Sequence, residues 1–233
     1  MNTNFTLSTG DAIIFDMDGT LWDSAENVAK SWNLAIKEFG KRKNLQAQDM
    51  LTTDCAGKEK KELHTEDIHN VMGKTMDVIA DILFSKLGKE ERMELLQLCC
   101  GMENDYLREH GGILYPKLEE TLSKLKENYH LYIVSNCQKG YIEAFLDYYR
   151  LWDYFEDIEC YGNNLLQKGE NIRLVAERNG LESAVYVGDI QGDYDASKKA
   201  GVEFIHAAYG FGTIDTEVTR IEAFEELADL KLF

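Results

Sequence analysis

Apolar and polar positions along this chain follow two rhythms. Residues 12–15 form an unbroken apolar run, Ala-Ile-Ile-Phe, that ends abruptly at Asp16, the pattern of a short strand buried on both faces. From Ala25 the rhythm changes. Val28, Ala29, Trp32, Ala35, Ile36 and Phe39 recur at intervals of three and four, which predicts an amphipathic helix with Asp23 or Ser24 as N-cap and Gly40 as its stop. Residues 41–61 are polar and lysine-bearing and read as a surface loop with room for a short helix. Helical spacing returns in three further segments: 65–73 with Ile68, Val71 and Met72 inward, 76–88 with Met76, Ile79, Ile82 and Leu83 inward, and 93–107 through Leu95, Leu96, Cys99 and Met102. Residues 24–110 therefore read as all-helical, with Gly111-Gly112 as the hinge out.

Beyond that hinge, strand and helix patterns alternate. A helix through Leu118, Leu122 and Leu125, with Pro116 in its first turn, precedes a strand at 130–134, a helix at 141–149 and a strand at 158–161. A helix at 171–179, a strand at 184–187, a helix at 194–200 and a strand at 202–205 complete the series. Such alternation predicts an α/β fold with a doubly wound parallel sheet and right-handed crossovers. The strand at 12–15 joins the same sheet, so the helical block is an insert: residues 1–23 and 111–233 form the core, and 24–110 the inserted helical domain.

Composition narrows the class. The chain has 233 residues, 44% of them hydrophobic, and 42 acidic against 25 basic side chains leave a net charge of -17. No apolar run reaches the roughly 18 residues that a membrane-spanning helix needs, and the first ten residues lack a basic-then-apolar leader pattern. These features predict a soluble cytoplasmic protein, taken here as a monomer. The charge opposes nucleic acid or an anionic membrane as partner and repels phosphorylated substrates at long range, so local cations must overcome it. Five cysteines (Cys55, Cys99, Cys100, Cys137, Cys160) show no metal-binding or disulfide spacing. The five histidines (His64, His69, His110, His130, His206) are scattered and read as structural or surface residues.

The candidate chemistry starts where the first strand stops. Asp16 and Asp18 lie two apart, so an extended backbone places both on one face, where carboxylates can converge on a hard cation or a phosphate. Gly19 permits a sharp turn, and Thr20 adds a hydroxyl and an N–H. Three possible partners lie further on: Ser135-Asn136 after the 131–134 apolar run, Lys168, and Gly-Asp-x-x-x-Asp from Gly188 to Asp193. The carboxyl ends of neighbouring strands line the ligand crevice of open α/β sheets, which brings such distant residues together.

Asp16-x-Asp18-Gly19-Thr20, Ser135-Asn136, Lys168 and Gly188-Asp189-x-x-x-Asp193, in that order, resemble the motifs of the haloacid dehalogenase superfamily, in its phosphatase and phosphomutase branch. The resemblance spans most of the chain and implies a Rossmann-like catalytic core. The long interval between Asp16 and Ser135 leaves room for a cap after the first motif, and the short interval from Ser135 to Lys168 leaves none after the second. The resemblance further implies Mg2+ held by Asp16, the Asp18 carbonyl and Asp189, with Asp193 at its outer shell or on the lysine. Asp16 would be the nucleophile, Asp18 the general acid and base, and Lys168 the balancing cation, with Lys139 as its rival. Gly19, Thr20, Ser135 and Asn136 would receive the phosphate, and Lys74, after the Gly73 helix stop, would meet another anionic group of the substrate. The chain departs from the family pattern at Gly169, where proline is common, and at Ile190, where a small hydroxyl residue is common. Residues 209–212, Tyr-Gly-Phe-Gly, resemble the family's glycine-bearing loop. The implied activity is hydrolysis of small phosphomonoesters in the manner of phosphoglycolate phosphatases. The alternatives are a sugar phosphomutase of the β-phosphoglucomutase kind and a catalytically silent binding module.

Overall fold

The computed structural model describes residues 11–54 and 56–230; the polar residues 1–10 and Cys55, considered above, lie outside the described residues. In chain order the elements are β1 (Ala12–Phe15), β2 (Trp22–Asp23), α1 (Ala25–Lys43), α2 (Ala47–Met50), α3 (Thr65–His69), α4 (Met76–Leu83), α5 (Lys89–His110), β3 (Ile113–Leu114), α6 (Leu118–Lys126), β4 (His130–Ser135), α7 (Tyr141–Tyr149), β5 (Asp157–Cys160), α8 (Tyr161–Asn164), α9 (Lys168–Arg178), β6 (Ala184–Gly188), α10 (Gln191–Ala200), β7 (Glu203–Ala207) and β8 (Thr219–Ile221). Among the described residues no helix is long and apolar enough to cross a membrane.

The six longer strands form one parallel sheet in the order β5-β4-β1-β6-β7-β8. Its centre is β1, and the reason lies in its composition: all four side chains are apolar and buried, so the strand is stable only with cover on both faces. Ala12 and Ile14 pack with Tyr132, Val134, Tyr186 and Phe204 beneath Ile172 and Val175 of α9 and Ala196 of α10. Alternation sends Phe15 to the opposite face. There its ring meets Phe155 edge-on at 6.2 Å and Phe224 at 5.9 Å.

The chain divides into two compact units, one made of the residues up to Asp23, Ile113–Ile142 and those from Arg150 onward, the other of Ser24–Gly112 and Glu143–Tyr149. The first is the doubly wound α/β core and the second is helical. Within the helical unit α1 buries Val28, Trp32, Ala35, Ile36 and Phe39, and α5 buries Leu95, Leu96, Cys99 and Leu107 against it. Trp32 stacks on Phe84 at 5.7 Å and donates its indole N–H to the buried carboxylate of Glu103.

Several boundaries differ from the sequence expectation, each for a local reason. Helix α1 runs through Gly40 to Lys43 and ends at Asn44, whose left-handed backbone (φ 56°) turns its N–H onto the Gly40 carbonyl. Pro116 precedes α6 and does not lie in its first turn, because Lys117 is left-handed (φ 57°) and separates the two. Helices α9 and α10 each start three residues earlier than their apolar spacing suggests. Glu170 and Asp193, at the third helical position, accept the N–H groups of Gln167 and Ile190 and so define the true starts. The β2-β3 ribbon and the edge strand β8 are too short to leave a periodic signal.

Candidate active site

Register places the site. Phe15 at the end of β1 pairs with Ile133 on one side and Val187 on the other, and the Asp16 N–H continues the ladder onto the Val187 carbonyl at 2.9 Å. Asp16 therefore emerges where β4 delivers Ser135 and β6 delivers Gly188 and Asp189. The next residues fold back at once: the N–H groups of Thr20 and Leu21 reach the Met17 carbonyl at 3.2 and 2.8 Å, and that of Gly19 reaches the Trp22 carbonyl at 2.9 Å. Gly19 adopts φ 82°, and a Cβ there would fall 2.1 Å from Asp189 Oδ2. The turn thus brings main chain against the second acid, at a separation only glycine allows. Gly210 closes the other side in the same way, since its Cβ would meet the Asp189 Cβ and the Gly19 carbonyl, each at 2.4 Å.

Carboxylate oxygens of Asp16, Asp189 and Asp193 all lie within 4.8 Å of one another, and all three residues are buried. Lys168, the first residue of α9 and itself only 4% exposed, places Nζ 2.9 Å from Asp16 Oδ1 and 2.5 Å from Asp193 Oδ1. The contact with Asp193 is a hydrogen bond, and that with Asp16 is a close ion pair. Asp193 is engaged on both oxygens, its Oδ2 accepting the N–H groups of Asp189 at 3.0 Å and Ile190 at 3.2 Å. It serves as the bracket that orients Lys168 and shapes the Asp189 loop, including the place where Ile190 offers no capping side chain. Asp189 Oδ2 accepts the Phe211 N–H at 2.7 Å, and the Asp189 carbonyl lies 3.1 Å from Nε2 of buried His206.

Three buried carboxylates against one ammonium leave an excess of negative charge out of water, which is costly unless protons or a cation compensate. The first response is visible in the acids themselves. Burial, reinforced by the charge of Asp193 and opposed by Lys168, pushes the Asp16 carboxyl up to about 7. Burial, with Asp193 and Asp16 adding to it, pushes Asp189 up to about 9. For Lys168, burial works against the charge, but Asp16 and Asp193 outweigh it and hold the ammonium above the ordinary lysine range. An all-oxygen donor set with surplus negative charge fits a hard divalent cation such as Mg2+.

The remaining expected residues fall into place around this cluster or away from it. Asp18 is half-buried, and its Oδ1 accepts the Tyr141 hydroxyl at 2.7 Å. Ser135 is 5% exposed at the end of β4, in contact with the Cys137 thiol, and Asn136 follows it half-buried. Thr20 is buried, with its hydroxyl unpartnered and its carbonyl accepting the Tyr209 hydroxyl at 2.8 Å. The amides of Gly19 and Thr20 are spent inside the turn. Lys168, not Lys139, is the lysine beside Asp16; Lys139 is exposed in the loop after Asn136. Lys74 is exposed on the helical unit, in the turn between α3 and α4. Tyr141 and His206 support the site without having been singled out by motif spacing, and Tyr209 does so from the glycine-bearing loop. An aromatic or histidine at such a position has no sequence mark that separates it from core.

Comparison with known proteins agrees with this architecture. Phosphoglycolate phosphatase from Aquifex aeolicus (strain VF5) is 24% identical over 214 residues, covering 88% of each chain. Among solved structures, a predicted phosphoglycolate phosphatase from Haemophilus somnus 129PT superposes with a TM-score of 0.73 at 20% identity over 99% of each chain. β-Phosphoglucomutase from Clostridium difficile superposes with a TM-score of 0.69 at 17% identity, over 94% of this chain and 93% of that one. At such identities the two structures speak to the fold alone. The family model of haloacid dehalogenase-like hydrolases matches residues 11–201, so the chain belongs to that family.

Proposed function

We propose that the chain is a cytoplasmic, Mg2+-dependent phosphatase of small phosphomonoesters, similar to the phosphoglycolate phosphatases, working through a phosphoryl group carried on Asp16. The observation that carries this reading is Asp16 itself: a buried carboxylate at the mouth of the central strand, ion-paired to Lys168 at 2.9 Å and within 4.8 Å of Asp189 and Asp193. Asp16, the main-chain carbonyl of Asp18 and Asp189 are the residues we assign to the metal. A divalent cation held there would neutralise the carboxylates and the phosphate dianion, so that attack would not be repelled.

The protein's own residues supply the rest. One Asp16 oxygen attacks phosphorus as the ester P–O bond breaks, and Asp18 gives its proton to the departing oxygen. Asp18, now ionised, takes a proton from water as that water attacks the aspartyl-phosphate, which returns Asp16 and releases phosphate. Lys168 balances the negative charge spread over the phosphoryl oxygens, and Ser135 with the main chain of Asn136 holds two of them. Asp193 keeps Lys168 and the Asp189 loop in place, a supporting role through which its loss would be felt at both. The helical unit we assign to selection of the substrate, with Lys74 as its proposed contact for a second anionic group.

The test is hydrolysis of an aryl phosphate and of a panel of metabolite phosphates, with and without a chelator. Turnover should need Mg2+ and no sugar bisphosphate, and Asp16→Asn, which keeps the shape and removes the nucleophile, should show none above background. A metal-independent rate, or an active Asp16→Asn protein, would remove this reading; a bisphosphate requirement would favour the mutase.

A further inference from the structure

Tyr141 is the first residue of α7 and is 2% exposed. Its ring meets Trp22 edge-on, with centroids 5.6 Å apart at an interplanar angle of 66°, and Trp22 is itself fully buried in β2. Its hydroxyl donates to Asp18 Oδ1 at 2.7 Å, across a sequence separation of 123 residues. A side chain pinned by packing thus presents a donor to the one carboxylate of the motif that lies outside the Asp16, Asp189 and Asp193 cluster.

A carboxyl group that must hand over a proton is useful only if that proton sits on the oxygen facing the acceptor. A half-buried aspartate can turn about its Cβ–Cγ bond and exchange its two oxygens. A donor on Oδ1 opposes that exchange, because a carboxylic proton on Oδ1 would force the buried Tyr141 hydroxyl to turn its own hydrogen away from the carboxyl. We propose that Tyr141 is a positioning residue for Asp18: by occupying Oδ1 it restricts the transferable proton to Oδ2 and aims that oxygen for both halves of the reaction. The inference rests on the assignment of Asp18 as general acid and base.

The leaving group separates this role from mere packing. An alkyl phosphate has a poor leaving oxygen that needs the proton, whereas an aryl phosphate with an acidic phenol needs little help. The single-turnover rate of phosphoryl transfer from each would be measured in the natural protein, Tyr141→Phe, Asp18→Ala and the double variant. Phenylalanine keeps the ring against Trp22, and the ratio of the two rates within one protein does not depend on the folded fraction. Tyr141→Phe should lower the alkyl-to-aryl ratio by about tenfold, the size expected for one hydrogen bond to an ionisable group. In the Asp18→Ala background the same change should leave the ratio where it stands, because Tyr141 acts only through Asp18. An equal loss on both substrates in Tyr141→Phe, or a further fall of the ratio in the double variant, would overturn the proposal. If Asp18→Ala itself failed to discriminate between the substrates, the acid/base assignment would be what falls; a selective Asp18→Ala beside an unselective Tyr141→Phe would fault Tyr141 alone.

Discussion

Asp16 and Asp189 are held in a state that ordinary aspartates do not reach. Burial comes first and their neighbours' charge second, and together these raise the two carboxyls to about 7 and about 9, far above the usual carboxylate range. The sign of the consequence follows. Near neutral pH the metal-free site retains protons that a divalent cation must displace, so binding releases protons and apparent affinity rises with pH until about 9. Titration calorimetry of the metal-free protein with Mg2+ in two buffers of different ionisation enthalpy measures this directly. Net proton release is expected; binding without proton exchange would show that the acids are already ionised and that burial is offset some other way.

At the scale of elements, what the chain reveals of itself depends on how its segments are buried. β1, β4 and β6 are legible because strands covered on both faces must be nearly all apolar, and the acids stand at once beyond their ends. The first turns of α9 and α10 are not, since Lys168, Gly169, Glu170 and Gln191, Gly192, Asp193 carry no apolar repeat; Glu170 and Asp193 there cap the helix starts. The β2-β3 ribbon and β8 are fixed by tertiary pairing of two or three residues, a contact no local pattern encodes. The same holds for the clasp between α9 and β5. Arg178 Nη1 meets Glu159 Oε2 at 2.6 Å, and its Nη2 donates to Asp157 Oδ1 at 2.7 Å and to the Ile158 carbonyl at 2.9 Å. Glu159 is 5% exposed, so Arg178→Met would leave a buried carboxylate without its cation. Urea unfolding should show a loss of about 2 kcal/mol, with the site's chemistry unaffected. A change below about 0.5 kcal/mol would mean that the clasp is only decoration.

For the molecule as a whole, a net charge of -17 acts on a substrate that we propose is dianionic. On the proposed reading, long-range repulsion would be overcome by attraction concentrated at one point, the Lys168 ammonium beside Asp16 and the proposed cation. The doubly wound core supplies that point from strand ends distant in sequence. Motif order and the strand ends made Asp16, Lys168, Asp189 and Asp193 legible from the chain alone. The Tyr141 hydrogen bond to Asp18 was not, because it depends on how a helix start lands in three dimensions. The central claim is that phosphate passes through Asp16 while Asp18 moves the protons. Its most direct test is Asp18→Ala mixed with an aryl phosphate of an acidic phenol, with the reaction quenched and the intact mass determined. Attack needs little acid assistance from such a substrate, but water then lacks its base, so one burst of phenol per active site should leave a single phosphoryl group, labile to hydroxylamine and mapped to Asp16. Steady turnover with no burst, or a phosphoryl group on any other residue, would contradict the account.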